Sequence, residues 1–390
     1  MEEPKRKRIR KEKPSVSKND DDTQSNENTL DTSTYLTYDI LRILFKYLDA
    51  RDLASSAMVC RSWQEAANNE KLTRGPCCFI QHYKTRHDFL SHVKNIRIKP
   101  SAGFFFIPEN TPRNVEERIE ALLPKYCEAV MLYSRGVIMD KEMEYHPFPN
   151  MACAFLPEIP NVRVKSFNVT THALIDTTVE YQEIISIINK TSTSNHETST
   201  CLMLFCNYIG HITAKRWASV IQKSTKNKVV SVWGGVLQDI YAQRAHTGKG
   251  QKKPRPTERT HKPCCFAVLI TGAMQTWSMI LERKYNTKER VEARLKLFKD
   301  QVKLKKHSIG FMFVCKARGT EMYDESNVES TIFKRIFPKV PLVGCFGYGE
   351  FGKTTDLDEV NEETNSKEGK KRKKSWYNEF STVFLILTYG

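Results

Sequence analysis

The chain has 390 residues, 40% of them hydrophobic and 27% charged, enough apolar content for buried cores and too much for a wholly disordered polymer. Its formal net charge of +16 would suit a nucleic-acid surface, but residues 5–13 hold +6 of it, 244–262 another +6 and 367–374 a further +5. The rest of the chain therefore sums to about −1, which argues against a basic face on the folded part and for charged tails and loops.

From the N-terminus, residues 1–32 read as a disordered tail, a basic block followed by a polar, acidic run. It contains no secretory h-region, and no apolar run in the chain approaches the ~18 residues of a membrane-spanning helix, so a soluble intracellular protein without a membrane partner is expected. Over residues 34–74 the pattern changes. Leu36, Ile40, Leu41, Leu44 and Leu48 recur at helical spacing. Asp49 then offers an N-cap, with Asp52 three positions on, for a second short helix through Leu53. A third helical segment carries Val59, Cys60, Trp63 and Ala67. Three helices in about forty residues cannot enclose so many apolar side chains. The trio either packs on the rest of the chain or offers its spare face to another protein.

From residue 79 on, the pattern predicts strands at 130–139 (with a turn near Arg135 and Gly136), 152–156, 162–167, 201–206, 229–233, 265–270, 276–281, 309–315, 342–346 and 382–387. Helices are predicted at 115–123, 181–188, 214–223, 288–301 and 328–337. Residues 200–235 read as a strand–helix–strand unit, and 264–282 as a hairpin around Gly272. The polar stretch 242–263 is the expected boundary between halves at 79–241 and 264–390, with a charged insertion at 354–375 in the second. No internal repeat is evident.

The chemistry-bearing patterns are sparse. The eleven cysteines include no C-x-x-C pair and sit mostly in apolar runs, as buried thiols of a reducing compartment would. His82, His87 and His92 lie five apart, which is not a helical metal spacing. Gly347, Gly349 and Gly352 fit G-x-G-x-x-G, but loop-like residues follow where a nucleotide site needs a helix, so a glycine-rich turn is expected. No nucleophile motif is recognisable, and a non-catalytic chain without cofactor or metal is expected.

Residues 35–74 resemble an F-box. The likeness rests on Leu36, Asp39-Ile40-Leu41, Ile43-Leu44, Tyr47-Leu48-Asp49, Asp52-Leu53 and, above all, Val59-Cys60-Arg61-Ser62-Trp63; Thr37 stands where the family usually has proline. The resemblance implies docking on the Skp-type adaptor of a cullin ubiquitin ligase, with Leu36, Ile40, Leu41, Leu44, Leu48, Leu53, Val59, Cys60 and Trp63 as adaptor-binding residues, some of them packing within the module. The remainder resembles a FIST-type α/β region, most strongly over 309–352, with weaker echoes at 119–139, 200–208 and 231–235. The expected fold is therefore mixed α/β, a three-helix F-box module followed by a FIST-like body of mixed β-sheets with helices on the faces.

The implied role is a substrate receptor of an SCF ubiquitin ligase: it binds the adaptor directly and the cullin scaffold indirectly, and holds a target protein for ubiquitination and proteasomal degradation. FIST-like likeness also implies a small-ligand pocket at strand ends, formed by Cys315, Arg318, Gly319, Gly347, Gly349 and Glu350, with Arg318 suited to a carboxylate. The alternatives are a ligand-sensing signalling protein, or a chromatin- or RNA-associated protein acting non-specifically through its basic segments. The clusters at 5–13 and 367–374 suggest nuclear as well as cytoplasmic residence.

Overall fold

A computed structural model describes residues 36–82, 91–111, 114–144, 150–172, 174–191, 199–225, 228–243, 263–355 and 375–390. The expected tail at 1–32, most of the charged stretches at 242–263 and 354–375, and His87 lie outside the described residues.

Three helices come first: α1 (Tyr38–Phe45), α2 (Ala50–Ser56) and α3 (Arg61–Thr73). The second starts where the Asp49 carboxylate accepts from the backbone N–H groups of Arg51 and Asp52, at 2.7 and 2.9 Å.

The body then repeats one pattern three times. The first unit is β1 (Cys77–His82), α4 (Ser91–Lys94), β2 (Pro100–Pro108), α5 (Val115–Leu122), β3 (Glu128–Ser134), β4 (Val137–Met139), β5 (Lys141–Met143) and β6 (Asn150–Pro157). The second is β7 (Val162–Asn168), α6 (Val179–Thr191), β8 (Ser199–Asn207), α7 (His211–Ser224), β9 (Val230–Leu237), β10 (Asp239–Gln243) and β11 (Cys265–Gly272). The third is β12 (Gln275–Leu281), α8 (Lys288–Gln301), β13 (His307–Cys315), α9 (Thr320–Tyr323), α10 (Val328–Ile336), β14 (Leu342–Gly347), β15 (Glu350–Phe351), β16 (Tyr377–Asn378) and β17 (Thr382–Tyr389).

Each unit builds the same four strands of one sheet. Two parallel strands joined across a helix lie at its centre: β2 with β3, β8 with β9, and β13 with β14. The unit's last strand pairs antiparallel with the first of these, and its opening strand pairs antiparallel with that last strand. A fifth strand comes from another unit: β10 joins the first sheet, β15 the second and β4 the third. The exchange is cyclic. It is sealed where each chain bends out of its parallel pair: Gln238 N–H donates to the Tyr133 carbonyl, Tyr348 N–H to Val236, and Phe346 N–H to Gly136.

The sheets enclose one core. Phe104 and Phe106 from the first, Phe205 and Trp233 from the second, and Phe311 and Phe313 from the third meet in it. The Trp233 ring lies 5.3 to 6.4 Å from four of these phenyl rings, and its Nε1 donates to the Val383 carbonyl at 3.2 Å. Alternate residues face outward, where α4 and α5, α6 and α7, and α8 and α10 cover the three sheets. Strands buried on both faces explain why the sequence shows near-continuous apolar runs.

Several expectations are corrected. Residues 264–282 do not form a hairpin: β11 belongs to the second sheet and β12 to the third, and Gly272, at φ +124°, turns the chain between them. The stretch 242–263 does not separate two halves, because β11 on its far side closes the sheet of β8 and β9. The stretch 130–139 does turn near Arg135 and Gly136 as expected, but the strands on either side, β3 and β4, belong to different sheets. Strands β1 and β2 form where the sequence pattern predicts none. An internal repeat does exist: the echoes at 200–208, 231–235 and 309–352 fall on the parallel pairs of the second and third units, and the one at 119–139 on the second strand of the first unit's pair with the helix before it.

Candidate functional site: an exposed helical face and a glycine-rich end

The helical trio has a small core of its own. Leu41, Phe45, Leu53, Ala66 and Ala67 are buried in it, with Leu48 and Trp63 packed against them and the Phe45 and Trp63 rings 5.4 Å apart. Helix α1 is apolar on its other side too. Leu36, Ile40, Ile43, Leu44 and Tyr47 stand exposed, Ile40 at 40% and Leu44 at 47%, and Met58, Val59 and Cys60 are exposed at the turn between α2 and α3. The nine residues singled out from sequence therefore divide. Leu41 and Leu53, each 1% exposed, are corrected to internal packing, because short helices need an inner stripe to hold together at all. Ile40, Leu44 and Val59 form an apolar face that no part of the described chain covers.

Arg74 fixes that face to the body, a role the sequence did not announce. Its guanidinium, almost fully enclosed, pairs with Glu70 at 2.9 Å. Nη2 donates to the carbonyls of Phe45 and Leu48 at 2.8 and 2.9 Å, capping the end of α1, and Nη1 donates to the Arg97 carbonyl in the body. Ala50 N–H adds a bond to the Ile96 carbonyl at 3.2 Å. After α3, Gly75 lies so close to His307 that a Cβ there would meet its Nδ1 at 2.7 Å. The available signal was an arginine four residues after Glu70 at the end of a helix; the carbonyls it reaches are distant in sequence.

The residues proposed for a ligand pocket do gather, at the ends of β13 and β14, but protein groups fill the space. Arg318 is fully buried. It pairs with Glu329, and donates to the carbonyls of Phe380 and Tyr285 at 3.2 and 2.7 Å and to the Tyr323 hydroxyl at 2.9 Å. Its donors are consumed internally, so the expected role on a ligand carboxylate is corrected to a structural one. Gly319, at φ +62°, leaves room for the Glu144 carboxylate, whose nearer oxygen would lie 2.5 Å from an added Cβ. A Cβ on Gly347 would strike the Phe313 ring, and one on Gly349 the Tyr377 hydroxyl. Glu350 is buried with Oε2 accepting from Ser381 N–H and Oγ–H, at 3.1 and 2.8 Å. Burial pushes its carboxyl up to about 8 and the adjacent Cys315 thiol up to about 11, so both are protonated at neutral pH. Nearby, burial and then the Glu329 charge raise Glu142 to about 7, while Ser330 N–H at the start of α10 donates to it at 2.9 Å.

Among the described residues, no three His, Cys, Asp or Glu side chains gather as a metal would require, and no helix is long and apolar enough to cross a membrane.

Comparison with known proteins agrees with this division of the chain. The F-box-like family matches residues 38–78, the helical trio and the start of β1. The chain is also similar to F-box only protein 22 of Pongo abelii and of Homo sapiens, 20% identical to each over 350 residues, or 80% of this chain and 84% of theirs.

Proposed function

We propose that the chain is the substrate-receptor subunit of a cullin-type ubiquitin ligase, with its helical trio docked on a Skp-type adaptor and its three-sheet body, a FIST-like region, holding the target. One observation carries this reading: the segment similar to F-box domains leaves Ile40, Ile43, Leu44, Tyr47, Met58 and Val59 exposed on a module already anchored by Arg74. Full burial of an aliphatic or aromatic side chain is worth ~1.5–3 kcal/mol, so six together match the ~4–15 kcal/mol that association costs. Leu41 and Leu53 contribute indirectly, by holding α1 in place.

In this role the chain performs no bond chemistry. It raises the effective concentration of a target lysine near the ubiquitin thioester, and the acceleration is one of proximity. Ubiquitination would then lead to proteasomal degradation. The basic clusters at 5–13 and 367–374 fit residence in nucleus and cytoplasm.

The test is co-purification of the adaptor with the full chain, wild type against Ile40→Asp with Leu44→Asp. Both positions are exposed, so the variant keeps its fold and loses the adaptor; retention of the adaptor at wild-type level would remove the docking face from the reading.

A further inference from the structure

The near-neutral total charge of the body conceals a local imbalance. At the end of α8 and the approach to β13, Lys299, Lys303, Lys305 and Lys306 lie within eight residues, and only Asp300 opposes them there. Among the described residues none of these four lysines takes part in an ion pair, in contrast to Lys288 and Lys296 earlier on the helix, which pair with Glu325 and Glu292. Two large aliphatic side chains, Leu297 and Leu304, stand exposed among them.

The strip is held in place. Val302 N–H donates to the Phe298 carbonyl at 3.2 Å and Lys305 N–H to the Thr388 hydroxyl at 2.7 Å, while Gly390 packs against Lys306. It also reaches the helical trio. The His307 imidazole bonds to the Leu72 carbonyl at the end of α3, where Lys71 and Leu72 are themselves exposed. Exposed lysines and two exposed leucines thus stand close together in sequence on a segment anchored to the body at Thr388 and joined at His307 to the end of the module.

We infer that this surface takes an acidic segment of a target polypeptide in which carboxylates alternate with aliphatic side chains; the word target rests on the receptor reading above. Unpaired ammonium groups attract carboxylates and steer their approach, and the leucines supply apolar area that such a segment can cover. A nucleic acid fits less well, because the strip holds neither an aromatic platform for bases nor an arginine fork for phosphates.

The experiment measures fluorescence anisotropy of a labelled peptide of alternating glutamate and leucine on the full chain bound to its adaptor. The comparison is Lys303→Glu with Lys306→Glu, two exposed positions. We expect salt-sensitive binding that weakens roughly tenfold in the variant, with adaptor retention unchanged. Equal binding by wild type and variant would overturn the proposal, as would tighter binding of a single-stranded oligonucleotide at the same salt. Failure of the receptor reading registers separately, as absence of the adaptor from the wild-type preparation, and the peptide comparison then still decides the strip on the chain alone.

Discussion

Replacing Arg74 by alanine is the most direct way to ask whether the docking face depends on its clamp. The change deletes the partner of Glu70, which is 8% exposed, and frees the carbonyls of Phe45, Leu48 and Arg97. Removing one member of a buried ion pair costs ~3–5 kcal/mol, mostly because the other charge is left without a partner. The core it secures is small: Leu41, Phe45 and Leu53 contribute ~1.5–3 kcal/mol each before the entropy of ordering three helices is subtracted. The loss is thus comparable with the module's whole margin. Hydrogen exchange should show α1 and α2 opening about a hundred-fold more often or beyond, while strands of the three sheets keep their protection. Adding Glu70→Ala removes the stranded carboxylate and should restore ~1–2 kcal/mol, a coupling that a double-mutant cycle reads directly. Unchanged protection of α1 in the single variant, or simple additivity in the double, would refute the clamp.

Three further outcomes follow from burial. Ile40→Asp with Leu44→Asp should change stability by about 0.5 kcal/mol or less in a urea titration and yet lose the adaptor, whereas Leu41→Ala should cost ~2–5 kcal/mol, so adaptor loss there reports damage to the module. Trp233→Ala should cost ~3–5 kcal/mol and lower the unfolding midpoint seen by probes in each sheet; a loss confined to the second sheet would contradict a shared core. Glu350 and Glu142 hold protons in the folded state up to about pH 8 and about pH 7, above the ordinary carboxylate value of 4.5. The folded state therefore binds more protons than the unfolded one through that window, and stability falls as pH rises across it. Glu350→Gln should flatten the fall between about pH 5 and pH 8; an identical pH profile for variant and wild type would count against the buried proton.

How far the sequence could be read depended on the range of the interaction. The unit at 200–235 was legible because two apolar runs flank an amphipathic helix, and the helical trio because Asp49 and the Val59-to-Trp63 block mark local boundaries. The pairing of β10 with β3, or of β4 with β14, left no local trace: these strands are short, and each finds its partner in another unit. Strand β2 escaped because Phe104, Phe105, Phe106 and Ile107 are buried on both faces and show no alternation. Arg318 looked like a ligand contact because its partners, Glu329 at the start of α10 and the Tyr285 and Phe380 carbonyls in two loops, come from separate parts of the chain. The lysine strip was hidden by summing charge over the whole body.

Because every unit lends a strand to a neighbour and receives one from the other, the ring closes on itself. No single unit has a complete sheet, so a fragment cut between units would leave two raw edges, one where its lent strand has nothing to join and one where its borrowed strand is missing. Cooperativity then extends over all three units. The connections that leave the lending side of each unit run from Met143 to Asn150, from Gln243 to Cys265 and from Phe351 to Tyr377, and their very different lengths leave the exchange of strands intact.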